Sequence, residues 1–312
     1  MTTTAIVDGN PVSAPIVAYR FRLAMNQTLS ASLTLGGLPP PISATSEILV
    51  TDTETRSEHV YRAKSLSLED GTNRVLELER DNDKNALLQA LVAQLMENPT
   101  RLPPHADAEA FFYTFTPSPE DRRADGHFKN FSDFILEEYH ASTQQDLNTL
   151  VRVLRKWGYA VNYGEFGDTP MIVNATTPNS AVHGLPVPLR GTSSRINYEA
   201  SDVGYKGITK RIIGGVLRDE FVQTRQDGKL VDLGSFPTLA RFNALANISQ
   251  TLAGLTIHTA RLTARLEAAV LMRLYDQVST PTNRLTHDLW RINSIDFDIG
   301  KGTATLSCSG VI

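Results

Sequence analysis

Between Phe236 and Val278 the residues Leu245, Ile248, Leu252, Leu255, Leu262 and Leu266 recur on alternating steps of three and four, with Thr259 filling the one heptad position that is not apolar. That spacing places one apolar stripe along a helix. Pro237 is tolerated in a first helical turn, so the pattern predicts a helix over 236–278. At about 1.5 Å per residue it would extend roughly 60 Å, longer than a small domain is wide. Such a helix is either broken, for instance near Gly254, or it serves an assembly. Its stripe must be buried against the chain's own strands or against neighbours. The six stripe residues, Leu245, Ile248, Leu252, Leu255, Leu262 and Leu266, are therefore the oligomer-interface candidates.

The remainder reads mainly as strands. Ile16 to Met25 is rich in β-branched and aromatic residues, Ser30 to Leu35 alternates polar with apolar, and Gly36 to Pro41 is a run that no regular element crosses. Val60–Leu68 and Val75–Leu78 flank Glu69-Asp70-Gly71-Thr72, a hairpin signal because Asp-Gly tolerates the positive φ of tight turns. Asp227-Gly228 is a second such signal. At the end of the chain, Trp290–Ile299, the turn Gly300-Lys301-Gly302 and Thr303–Cys308 predict a hairpin, and alternation of Ile292, Ser294 and Asp296 with Asn293, Ile295 and Phe297 predicts one buried face.

Three helices are expected before the stripe. Asp83 is placed to cap one carrying Leu87, Leu88, Leu91, Val92 and Leu95, and a second lies near Phe128, Phe131, Phe134 and Ile135. In the third, Thr143 precedes Leu147, Leu150, Val151, Leu154 and Trp157 at helical spacing, and Gly158 sits where a left-handed cap belongs. Tyr159–Tyr163, a turn and Met171–Val173 then complete an αββ module. The expected fold class is α+β: β-rich barrel- or sandwich-like domains with an inserted αββ module and a long C-terminal helix followed by a β-hairpin. The divisions are a β-rich domain at 1–82, a helix and loop connection at 83–140, the αββ module at 141–180, and a β-rich domain with the long helix at 181–312.

No catalytic signature stands out. The seven histidines are scattered, with no two four apart as helix-borne metal ligands would be, and His105, Asp107 and Glu109 lie in a Pro-rich stretch that reads as a solvated loop. Gly300-Lys301-Gly302-Thr303 lacks the glycine spacing and following helix of a phosphate loop, and Ile213-Gly214-Gly215-Val216 lacks a dinucleotide fingerprint's setting. Asp133 and Glu137 are expected on a solvated helix face. Cys308, the one cysteine, reads as a small buried residue, and no catalytic residue, metal or cofactor is assigned.

Bulk numbers agree with a folded, non-basic protein. Of 312 residues 41% are hydrophobic and 21% charged, and 30 basic against 34 acidic residues give a net charge of −4, which provides no basic field for nucleic acid. No run of 18 apolar residues exists, and Met1 to Asn10 has no signal-like pattern, so a soluble, cytoplasmically made chain without a membrane span is expected.

Arg211-Ile212-Ile213-Gly214-Gly215-Val216, the predicted long helix, and Leu289-Trp290-Arg291-Ile292-Asn293-Ser294-Ile295-Asp296-Phe297-Asp298 leading to Gly302-Thr303-Ala304-Thr305-Leu306 together resemble the closing region of bacteriophage tail hub and baseplate proteins and of hubs in related contractile injection particles. The αββ module, with Lys156-Trp157-Gly158-Tyr159-Ala160-Val161, resembles the helix-plus-hairpin units of such hubs. The resemblance implies a structural subunit of the virion tail, assembled in the host cytoplasm. It would form a homo-oligomeric ring, trimeric by that likeness, joining the tail tube to the tip or spike, with other tail or baseplate proteins as partners. A hydrolase built from carboxylates distant in sequence, or a module binding carbohydrate or a host surface, are the alternative classes.

Overall fold

The structure, a computed structural model, describes residues 3–37, 39–69, 72–80, 83–97, 119–164, 169–184, 196–198, 206–213, 216–224, 230–232, 240–241, 244–245, 247–248, 258–279 and 289–310. Strands come first: β1 (Thr3–Val7), β2 (Asn10–Pro11), β3 (Ile16–Ala24), β4 (Gln27–Gly36), β5 (Glu47–Asp52), β6 (Ser57–Glu69) and β7 (Asn73–Arg80). Three helices and a hairpin follow: α1 (Lys84–Glu97), α2 (Phe131–His140), α3 (Leu147–Lys156), β8 (Tyr159–Asn162) and β9 (Met171–Asn174). Then come β10 (Val182–Gly184), β11 (Ile196–Tyr198), β12 (Lys206–Ile213), β13 (Val216–Thr224), β14 (Leu230–Asp232) and β15 (His258–Arg265). A single turn of helix α4 (Leu266–Ala269), β16 (Gln277–Ser279), β17 (Leu289–Asp298) and β18 (Thr303–Gly310) close the chain.

The two ends of the chain build one sheet. Its strand order is β11-β15-β18-β17-β3-β4-β7-β6-β5-β1-β2, with β10 and β16 branching from β17. The join between ends is β17 against β3, where Ser294 to Asp298 pair with Ala24 to Arg20. Alternation drives the layering: in β4 Leu29, Ala31, Leu33 and Leu35 turn inward while Ser30, Ser32 and Thr34 turn outward. The sheet also curls. β3 and β6 are three steps apart in it, roughly 14 Å if flat, yet the Tyr19 and Tyr61 hydroxyls lie 2.8 Å apart and the Phe21 and His59 rings 5.6 Å apart. Phe21 also stacks on Phe297 at 4.5 Å, which fills the curl from the C-terminal strands.

A second core gathers the helices. α1 buries Leu87, Leu91 and Leu95, one residue in four along a single face, and Asp83 accepts from the Asn85 N–H at 2.8 Å at its start. α2 opens with a capping box in which Asn130 and Asp133 exchange side-chain-to-backbone bonds. α3 is capped by Asp146, which accepts from the Thr149 N–H at 2.8 Å, so the cap lies three residues beyond the expected Thr143. Asp146 directly precedes the first apolar residue, Leu147, and its carboxylate outbids a hydroxyl one turn away for the free amides. Gly158 adopts φ +75°, as a left-handed helix end requires. Against these helices packs the β8–β9 hairpin, in register from Tyr159 with Asn174 to Asn162 with Met171.

The predicted continuous helix over 236–278 does not form. Residues 240, 241, 244, 245, 247 and 248 are helical, but His258–Arg265 is strand β15, paired with β18 from Thr259 with Ser309 to Arg265 with Thr303. The sequence Thr259 to Arg265 fits period two as well as period 3.5: Ala260, Leu262 and Ala264 point inward while Arg261 and Arg265 are exposed. Pairing with β18 decides between them. One alternation also breaks, because a bulge between Ile292 and Ser294 sets Ile292 and Ile295 on the same buried side.

Candidate assembly surfaces

The outward face of the large sheet is a polar grid. One rung runs Thr263, Thr305, Asp296, Arg22, Ser30, Glu79, Arg62, and the next Arg265, Thr303, Asp298, Arg20, Ser32, Glu77, Ser65. Across the β3–β17 join, Arg20 meets Asp298 at 3.0 Å and Arg22 meets Asp296 at 3.4 Å. Both guanidiniums are about half exposed (57% and 48%). Exposed pairs of this kind contribute little stability, so their value lies in fixing register. A groove of about 270 Å³ runs over Arg20, Arg22, Ser30, Ser32, Asp296 and Asp298.

Three side chains bracket the two cores together. Asn26, at φ +59° in the β3–β4 turn, donates its N–H to the Val161 carbonyl at 2.8 Å and accepts the Val161 N–H on its side chain at 2.9 Å. Arg80 donates to the Gly164 carbonyl at 3.1 Å. Arg291 donates to the Ala175 carbonyl and lies 4.4 Å above the Tyr275 ring. Tyr275 itself has φ +70°, a strained conformation for a bulky side chain. Its N–H donates to Ile292 and its carbonyl accepts from the Asn179 N–H, each at 2.8 Å, which holds it there. The neighbouring Asp276 carboxylate accepts from Asn179 at 3.1 Å and lies 2.7 Å from His183 Nε2.

The charged helix face is more engaged than the sequence suggests. Asp133 pairs with Arg123 at 2.7 Å besides capping α2, and Glu137 pairs with Lys129 at 2.5 Å and with Arg241 at 2.9 Å. Arg241 also reaches the fully buried Asp121 at 2.8 Å and lies over the Phe134 ring at 4.1 Å. This network ties the 119–121 turn, α2 and the helical residues near 241 into one unit. No local sequence pattern signals it, since Arg241 and Asp121 stand 120 residues apart.

Among the described residues no group of three or more His, Cys, Asp or Glu side chains is placed to hold a metal ion, and His105, Asp107 and Glu109 lie outside them. Burial pushes the Cys308 thiol up to about 12, so the thiolate is disfavoured. His59 is held down to about 4 by burial and then by the Arg80 charge. The Gly300-Lys301-Gly302 stretch is a turn of 3₁₀ helix ending on Gly302 at φ +63°, a hairpin connection.

The four stripe residues that the structure describes fall in two different cores. Leu245 and Ile248 are 1% exposed in the helical core, Leu262 and Leu266 are 6% and 5% exposed in the sheet core, and Leu252 and Leu255 lie outside the described residues.

What these elements define is a strand-rich α+β protein with a large mixed sheet and few helices. No family model matches the sequence, and no curated protein matches it. Solved structures match by fold along the whole chain. The 43 kDa tail protein of prophage MuSo2 from Shewanella oneidensis superposes with a TM-score of 0.59 at 13% identity, over 99% of this chain and 98% of that one. The c3393 protein of E. coli, a type VI secretion system component with structural similarity to the T4 bacteriophage tail proteins gp27 and gp5, superposes with a TM-score of 0.52 at 9% identity, over 99% of this chain and 77% of that one. The chain shares its fold with these two proteins.

Proposed function

We propose that this chain is a structural subunit of a phage tail or baseplate hub, forming a ring that joins the tail tube to the tip or spike. The observation that carries the reading is the end-to-end likeness to a prophage tail protein, which spans nearly all of both chains. The molecule's polar investments also favour it. Buried polar pairs such as Arg241 with Asp121 and Tyr19 with Tyr61 are engaged with one another inside the chain. Structural roles of this kind reside in surfaces, with no bond made or broken. The ring is trimeric by the resemblance read from the sequence, its partners are other tail or baseplate proteins, and its place is the virion tail.

The test is co-assembly. The purified chain, mixed with a tail-tube subunit from the same genome, should cap tube ends as a ring visible by negative-stain electron microscopy. Tubes whose ends stay bare at saturating protein would overturn the hub role.

A further inference from the structure

The joint between the two cores holds two features that a settled interface avoids. Tyr275 lies between α4 and β16, and its neighbours Met272, Leu274 and Val278 are buried in the sheet core. Its own ring turns the other way and packs with Ala160 and Ala175 of the helical module and with the partly buried Met25 and Val173. To place it there the backbone takes φ +70°, the left-handed region in which a bulky side chain is strained. Beside it stands Arg291, 6% exposed. Its guanidinium reaches the Ala175 carbonyl and the Tyr275 ring, its Nε has no hydrogen-bond partner, and no carboxylate among the described residues pairs with it. A buried cation without a counter-ion favours any arrangement that returns it to water. A cavity of about 160 Å³, lined by Tyr275, Met25, Asn162, Met171, Val173 and Asn179, leaves the contact short of close packing.

A strap closes this joint. After β9 the chain crosses from the helical core to the sheet through residues 175–184, much of it exposed, and ends as β10 in parallel pairing with β16, from Val182 with Gln277 to Gly184 with Ser279. Asn179 donates its N–H to the Tyr275 carbonyl at 2.8 Å, and its side-chain amide to the Leu274 carbonyl and to Asp276, each at 3.1 Å. Gln277 donates its N–H to the Ala181 carbonyl at 2.8 Å and its side-chain amide to the Asn179 carbonyl at 2.7 Å. Asp276 is the centre of the fastening. It is 4% exposed, accepts from the Arg273 N–H at 2.9 Å as well as from Asn179, and lies 2.7 Å from His183 Nε2. These bonds grip Leu274, Tyr275 and Asp276 in turn, and so hold the unusual backbone of Tyr275 in place.

We propose that the joint is a latched hinge. The strap 175–184, fastened at Asp276, holds the two cores in a closed arrangement that Tyr275 and Arg291 oppose, and its release lets the helical core swing on the sheet while both cores stay folded. Both opposing features relax in the same motion. Withdrawal of the ring lets Tyr275 return to an ordinary φ, and parting from Ala175 carries Arg291 into water. The latch is the shallowest part of the joint: its strand pairing is three residues long, and the His183 side chain is 24% exposed. Elements with few buried apolar contacts open at a smaller free energy than the cores they connect. The bonds between Asn26 and Val161 also span the joint, so they break when it opens and report on it.

Hydrogen exchange on the full chain reads the hinge. The Asn26, Val161, Asn179 and Gln277 amides, whose bonds span the joint or the strap, should exchange about a hundredfold faster than amides inside β4 and α3. Asp276→Ala should speed those four amides about tenfold further. His183→Ala, at a more exposed site, should do the same while leaving β4 and α3 unchanged, which separates the latch from general stability. Arg291→Met removes the buried charge but keeps an unbranched side chain, and should slow the four amides several-fold. Spin labels on Thr53→Cys in the β5–β6 turn and Gln144→Cys in the α2–α3 turn follow the motion itself. They should give one distance in the parent and a second, new distance in His183→Ala. The buried Cys308, its thiol pushed up to about 12, stays unlabelled. Joint amides that exchange no faster than the cores in the parent and in both latch variants, or a single unchanged distance, would overturn the hinge. Equal acceleration of the joint, β4 and α3 in His183→Ala would make the strap ordinary packing support. Faster exchange in R291M would show that the guanidinium fastens the joint and would overturn its opposing role.

Discussion

The two cores of this molecule are assembled on different principles. The helical core draws α2, α3, β8 and β9 from one stretch, Phe131 to Asn174, so most of its partners are near in sequence. The sheet core does the opposite: Phe21 stacks on Phe297, and Arg20 meets Asp298 with 278 residues between them. A local core can form before the rest of the chain is made, whereas the sheet must close a long loop first. The bracket at Asn26 and Val161 makes the finished molecule behave as more than two independent parts.

The largest effects should come from emptying either core. Phe297→Ala in the sheet and Trp157→Ala among the helices each remove a ring that is at most 2% exposed, and each should cost about 4 kcal/mol in urea unfolding. Hydrogen exchange separates them. Phe297→Ala should speed exchange across β3, β4 and β17 first, and Trp157→Ala across α2, α3 and β8 first. Identical exchange maps for the two variants would erase the distinction between the cores.

Next is the buried charge network of the helical core. Asp121→Ala removes the fully buried carboxylate that faces Arg241, whose side chain is 9% exposed, and should lower stability by about 3 kcal/mol. A loss under about 1 kcal/mol would show that Glu137 suffices for Arg241.

The sheet core has its own signature in acid. His59 titrates near 4 in the folded state against 6.5 when unfolded, because burial disfavours its charged form. Above pH 6.5 both states are neutral and the residue contributes nothing to pH dependence. As pH falls from 6.5 to about 4, the unfolded chain takes up a proton that the folded one refuses, and stability drops by about 3 kcal/mol from this residue. His59→Asn should flatten the slope of unfolding free energy in that window. A slope identical to the parent's would mean the folded sheet admits the proton.

The smallest effect concerns the bracket. Asn26→Gly keeps the positive φ and loses the side-chain bond to Val161, for a cost of about 1 kcal/mol, while Asn26→Ala adds backbone strain and should cost about 2 kcal/mol. Equal costs for the two would place the whole effect in the lost bond.

The contrast between the cores also explains what the sequence conveys. Helical spacing at Leu87, Leu91 and Leu95, the left-handed Gly158, and the hairpin from Trp290 to Cys308 are legible because the residues that define them are neighbours. The pairing of β17 with β3 and the ion pair of Arg241 with Asp121 leave no local trace. Leu262 shows the commonest trap: it sits on a heptad of leucines, yet Thr259 to Arg265 alternates equally well as a strand, and only the distant β18 settles which period is used.

A fold that serves assembly declares itself in its mass in solution. Light scattering on the full chain across a hundredfold range of concentration, with tail proteins from the same genome present and absent, should give a closed ring of fixed copy number whose mass stops growing. A chain that remains a monomer at the highest concentration and also ignores those tail proteins would contradict it.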